Sequence, residues 1–86
     1  MPPTMPTLKE NVYGSIMSRR DMDKEIYDET HLQNDLNFDT LDRVDLAVEL
    51  EDIHSIEVDK DDEDNWITAK DVFEYVERKV EEKDNG

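Results

Sequence analysis

In the stretch "NDLNFDTLDRVDL", Asn34 to Leu46, one hydroxyl, Thr40, stands between Asp39 and Leu41 where a helix is about to begin. The plainest role for such a pair is a helix start, with side-chain oxygens bonding to nearby backbone. The exposed amides of a helix N-terminus also favour an anion beside an alcohol in that position.

Other residue types that do chemistry are present but badly spaced for it. "DKDDEDNW", residues 59–66, gathers carboxylates as a calcium loop does. A loop starting at Asp59 needs glycine at its sixth position and glutamate at its twelfth, and the chain has Asp64 and Lys70 there. A loop starting at Asp62 puts Trp66 in a ligand position. Clustered carboxylates of this kind attract cations diffusely, and no metal site is expected. His31 and His54 fall outside any ligand spacing such as His-Glu-x-x-His. They read as a loop histidine and a helix-end histidine near the C-terminal dipole. Ser15, Ser18 and Ser55 have no companion base, and no glycine-rich phosphate loop occurs. No catalytic residue is expected, and the chain reads as not an enzyme.

The elements that must position Thr40 follow from apolar spacing and capping signals. Residues 1–6, "MPPTMP", are expected to be a disordered leader. Thr7 and Glu10 have capping-box spacing, and Leu8, Val12, Ile16 and Met17 then mark a helix face to about Arg20, with Gly14 costing it about 1 kcal/mol relative to alanine. From Asp21 to Leu36 apolar residues are sparse, and a long surface loop is expected, pinned by Met22, Ile26, Leu32 and Leu36. Asp39 and Asp42 repeat the cap spacing, so a second helix is expected from Thr40 to about His54. Its apolar set is Leu41, Val44, Leu46, Val48, Leu50 and Ile53; its other face carries Asp42, Asp45, Glu49 and Asp52. A connector with one short helical turn around Asp61 to Asn65 follows. Thr68 with Asp71 then opens a last helix over Val72, Phe73, Val76 and Val80, with Lys79 and Lys83 towards its C-terminus and a frayed tail over 84–86. Trp66 reads as a core anchor whose indole N–H needs a partner if buried. Met5, Met17 and Met22 read as gap-filling core or loop anchors. The expected fold class is all-α, three principal helices plus a short one.

Composition bounds the partners. The 86 residues make one domain, 7–83, that buries about 60–65% of its unfolded surface. A formal net charge of −15, with only 10 Lys and Arg, argues against nucleic acid and membrane insertion as modes of binding. It favours basic protein partners, met by electrostatic steering. No apolar run is long enough to cross a membrane and no secretion signal is seen, so a cytoplasmic monomer is expected. The absence of cysteine excludes disulfides and any thioester on the chain's own side chains.

"DLNFDTLDRVDLAVELED" resembles the acyl carrier protein signature, Asp-Leu-Gly-x-Asp-Ser-Leu-Asp/Glu followed by an acidic apolar helix. The match falls at Asp35, Leu36, Asp39, Leu41 and Asp42, then at Val44, Leu46, Leu50 and Glu51. "IEVDKDDEDNWITAKDVFEYVERKV" is similar to the family's later turn, acidic third helix and closing helix, and from Leu32 to Val80 no insertion interrupts the correspondence. The resemblance implies a four-helix carrier bundle with a long loop between helices 1 and 2. It also implies a 4′-phosphopantetheine cofactor at position 40, holding acyl groups as thioesters for fatty-acid, polyketide or other specialised lipid synthesis. Asp39, Asp42, Asp45, Glu49 and Asp52 would then dock on a phosphopantetheinyl transferase and on acyl-processing enzymes through their basic patches. Leu32, Phe38, Val44, Leu50, Val58, Trp66, Val72 and Val76 would shelter the acyl chain.

The chain departs from that pattern at identifiable places. Thr40 replaces the usual serine, and its second heavy atom at Cβ restricts χ1. Asn37 replaces a glycine, a mild change because asparagine tolerates a left-handed turn. Phe38 and Trp66 are bulky, Arg43 interrupts the acidic face, and His54 stands at a usually apolar position. Two readings follow: a carrier modified at Thr40, or an unmodified carrier-like module that binds a basic partner through its acidic helix. A third takes the threonine as an engineered block to modification.

Overall fold

The computed structural model describes residues 7–18 and 26–85, the last two as backbone. The leader over 1–6, the continuation of the first helix to Arg20, and the anchors Met5 and Met22 lie outside the described residues. Four helices follow one another: α1 (Leu8–Ser18), α2 (Thr40–His54), α3 (Lys60–Glu63) and α4 (Ala69–Asn85). Among the described residues there is no strand, only an isolated antiparallel bridge between His31 and Thr68. The fold is all-α, as expected from the periodicity, and α4 includes Asp84 and Asn85 of the tail expected to fray, residue 86 lying outside the described residues.

The capping signals act where the spacing put them. The Glu10 amide donates to Thr7 Oγ1 at 3.2 Å. At α2 the Asp42 amide donates to Asp39 Oδ1 at 2.9 Å, and the Asp39 amide donates back to Asp42 Oδ2 at 3.1 Å. The same reciprocal pair joins Asp71 and Thr68 before α4, at 3.3 and 3.0 Å. Each pair satisfies two amides that a helix start otherwise leaves unpaired.

The loop from Ile26 to Asp39 is pinned by Ile26, Leu32, Leu36 and Phe38, all buried. It also completes α4: the Ala69 and Lys70 amides donate to the carbonyls of Thr30 and Asp28, at 2.9 and 3.2 Å. The Leu32 amide in turn donates to the Ile67 carbonyl at 2.9 Å. Val12 and Ile16 of α1, Leu46, Ala47 and Leu50 of α2, and Val72, Tyr75 and Val76 of α4 meet in one core with Trp66.

One expectation is corrected here. Leu41, Val48 and Ile53 do not belong to the buried face of α2; they are 71%, 51% and 55% exposed. Leu46, Ala47 and Leu50 set the inward direction, and at 100° per residue positions 41 and 48 point away from it. Ile53, seven residues after Leu46, lies nearer the inward side and is exposed in the last turn of the helix. Val44 is half-buried.

Candidate functional site

Thr40 is the first residue of α2 and is exposed. Asp39, immediately before it, is extended (φ −105°, ψ −172°) and locked to Asp42 by the reciprocal bonds, so the chain enters the helix in one direction. Asn37 holds φ 62°, the left-handed turn that a glycine would adopt without cost, and this reverses the chain two residues before the cap. The Phe38 amide donates to the Leu32 carbonyl at 2.9 Å, closing that turn beneath the site.

Beside Thr40 opens a cavity of about 360 Å³, lined by His31, Leu32, Gln33, Asn37, Phe38, Asp39, Thr40, Arg43, Trp66 and Ile67. Three of the eight residues expected to shelter an acyl chain, Leu32, Phe38 and Trp66, form part of this wall. Leu50, Val72 and Val76 are instead fully buried in the core, and Val58 packs against it. Trp66 is 3% exposed and stacks edge-on against Tyr75, with ring centroids 5.6 Å apart. Its indole N–H is enclosed and has no hydrogen-bond partner. Arg43, one turn after Thr40, was expected only as an interruption of the acidic face; the i, i+3 spacing that brings it to the cavity is legible in the sequence. His31, Gln33 and Ile67 at this wall carried no comparable signal, because the loop's path decides their place.

Of the carboxylates expected to meet partners, Asp39, Asp45 and Asp52 are exposed while Asp42 and Glu49 are half-buried. Asp45, Glu49 and Asp52 line a shallow surface groove together with Val48 and Ile53. Glu49 Oε2 is enclosed, with no hydrogen-bond partner. Glu51, matched by the signature but given no role, accepts from the Val58 amide at 2.9 Å and holds the connector after α2. Glu63 on α3 is 5% exposed, and burial pushes its carboxyl up, with Asp64 adding to the rise and Arg43 opposing it.

Sequence reasoning missed a second cluster far from Thr40. Tyr13 donates to Asp28 Oδ1 at 2.6 Å, and Lys9 pairs with the same oxygen at 2.8 Å. Burial first, then the bond to Asp28, pushes the Tyr13 phenol up. The bond to Lys9, then that to Tyr13, holds the Asp28 carboxyl down. The groove beside this cluster, about 590 Å³, contains none of the expected site residues. Among the described residues no group of three or more His, Asp or Glu side chains is arranged to hold a metal ion. No described helix is long and apolar enough to cross a membrane.

The same arrangement of sequence recurs in known proteins. An acyl carrier protein of Chlorobium phaeobacteroides is 32% identical over 73 residues, covering 84% of this chain and 94% of that one. Another, from Amoebophilus asiaticus, is 38% identical over 55 residues, covering 64% of this chain and 69% of the relative. A solved structure from Mycobacterium tuberculosis, assigned to the acyl carrier proteins, superposes with a TM-score of 0.80 at 30% identity, covering 84% of this chain and 97% of that chain. No protein-family model matches the sequence.

Proposed function

The chain belongs to the acyl carrier protein family, and from that premise we propose that it carries acyl intermediates as thioesters on a 4′-phosphopantetheine arm joined to Thr40, in fatty-acid, polyketide or specialised lipid biosynthesis. Members of this family are carriers that work with acyl-processing enzymes, and the chain is accordingly not an enzyme. One observation carries the proposal: an exposed hydroxyl on the first residue of α2, at the rim of a cavity and behind a fully formed capping box. Thr40 Oγ1 is the atom that would hold the arm. When bound, the arm supplies the thiol that the cysteine-free chain lacks.

The chain's own residues do the rest. The Asp39–Asp42 pair fixes the orientation of the first turn, so Thr40 is presented to an incoming transferase in a defined direction. That definition matters because a misplacement of about 1 Å can cost roughly a hundredfold in rate. The threonine methyl narrows the approach further, which favours a transferase shaped for a secondary alcohol. Asp39, Asp42, Asp45, Glu49 and Asp52 then meet basic patches on the transferase and on acyl-processing enzymes, with Leu41, Val48 and Ile53 providing apolar contact. This reading keeps the protein a cytoplasmic monomer.

Intact mass after incubation with coenzyme A and a broad-specificity transferase tests it. A gain of one phosphopantetheine, lost in Thr40→Ala, is the expected result. An unmodified wild type alongside a readily modified Thr40→Ser variant would overturn it in favour of the unmodified interaction module.

A further inference from the structure

Arg43 breaks the acidic face of α2, and neither the core nor the capping box uses it. It is half-buried and lines the cavity that opens beside Thr40. Side chains of an α-helix lean back over the turn on their N-terminal side, and i, i+3 neighbours share a face. The Arg43 side chain is therefore directed over the turn that begins at Thr40. Among the described residues its guanidinium makes no hydrogen bond and no ion pair. It acts on buried Glu63 through its charge alone, opposing the rise of that carboxyl.

The surroundings of the Thr40 hydroxyl are otherwise acidic. Asp39 precedes it, Asp42 follows within the same turn, and the formal net charge of the chain is −15. Each of those carboxylates holds the other's amide, so neither turns away without opening the capping box. A phosphodiester on Thr40 Oγ1 brings a further permanent negative charge to this turn. The helix start offers it a partial positive charge, but the Asp42 amide is already taken by Asp39. Arg43 supplies what is missing: a planar fork of N–H donors, charged at any ordinary pH, that matches phosphate oxygens in pairs. We infer that Arg43 pairs with the phosphodiester joining the arm to Thr40 and holds the root of the arm against the first turn of α2. This rests on the carrier reading and adds a binding residue to its site.

The test compares the chain with and without the bare arm, each form confirmed by intact mass; Thr40→Ser is used if the transferase rejects threonine. The Arg43 Nε–H resonance, assigned through bonds, reads the pair directly. The expected result is a downfield shift on loading, with solvent exchange of that proton slowed about tenfold, equivalent to about 1.4 kcal/mol. The phosphorus resonance of the arm should differ between the wild type and Arg43→Gln, which keeps a polar side chain and drops the charge. At low salt, loading should lower the melting temperature by about 4 °C more in Arg43→Gln than in the wild type. That difference should shrink at about 1 M salt, where screening acts within about 3 Å. The effect of Arg43 on Glu63 is present with and without the arm and cancels from the comparison. An Arg43 Nε–H unmoved by loading, or equal melting-temperature changes in the wild type and Arg43→Gln, overturns the inference and leaves the carrier reading intact. If neither Thr40 nor Thr40→Ser gains mass, the carrier reading falls and the inference falls with it.

Discussion

The two long helices, α2 and α4, are of similar length, yet they treat their apolar residues in opposite ways. In α4 Val72, Tyr75 and Val76 are buried and Phe73 and Val80 pack against the core, while Lys70, Glu74, Glu77, Arg78, Glu81, Glu82 and Lys83 are exposed. In α2 only Leu46, Ala47 and Leu50 are buried; Leu41, Val48 and Ile53 stand outside among Asp45, Glu49 and Asp52. Exposed apolar side chains rimmed by charge mark an interaction surface more often than an accident of packing. The contrast divides the two helices: α4 turns its apolar residues into the bundle, and α2 gives one face to the bundle and leaves another open, the surface proposed above for partners.

The largest effects should separate those two faces within one helix. Leu50→Ala should destabilise the fold by about 2–5 kcal/mol, since a fully buried side chain leaves a cavity. Leu41→Ala, the same chemical change nine residues earlier, should stay within about 0.5 kcal/mol. Val76→Ala in α4 should fall on the Leu50 side of that divide. Denaturant midpoints measured for the three variants check this, and equal losses for Leu41→Ala and Leu50→Ala would abolish the contrast.

A smaller effect distinguishes how the two helices begin. Both have reciprocal capping pairs, but α4 is also supplied by the carbonyls of Asp28 and Thr30, whereas α2 is served by Asp39 and Asp42. Asp39→Ala should therefore cost about 1 kcal/mol and slow arm transfer to Thr40 more than its effect on stability accounts for. Thr68→Ala should leave the transfer rate unchanged. Amide exchange across residues 40–44, followed with the transfer rate, reads both; unaltered transfer in Asp39→Ala would separate the cap from the site.

Much of this was legible in the sequence because its causes are local. Spacing alone placed α2 over Thr40–His54, since the Asp39–Asp42 cap and the apolar period act within a few residues. Asn37 was expected to tolerate a left-handed turn, and it adopts one. The exposure of Leu41, Val48 and Ile53 was not legible, because apolar character says that a residue prefers burial and not which face the bundle covers. The Lys9–Tyr13–Asp28 cluster was hidden for a related reason: it joins residues 15 or more positions apart through a loop whose path periodicity does not encode. The need of the Trp66 indole for a partner was foreseeable; that none would exist within the described chain was not.

The smallest expected effect lies at the other end of α2. His54 closes the helix with Nε2 enclosed and unpartnered, beside the left-handed Ser55 (φ 55°), and Lys83 Nζ donates to its carbonyl at 3.4 Å. Burial lowers the pKa of this imidazole from its ordinary value of 6.5. The unfolded chain therefore takes up the proton first as pH falls. The contribution of neutral His54 to stability is complete above 6.5 and is lost as pH drops through the folded value. Net charge acts in the opposite sense, because protonating carboxylates relieves self-repulsion. A comparison with His54→Leu cancels that shared background. Between about pH 7.5 and 5.5 the melting temperature of the wild type should fall relative to His54→Leu, and the gap should close again on returning to pH 7.5. Parallel curves would show that the helix end is as open to water as its first turn, and the difference between the two ends of α2 would disappear.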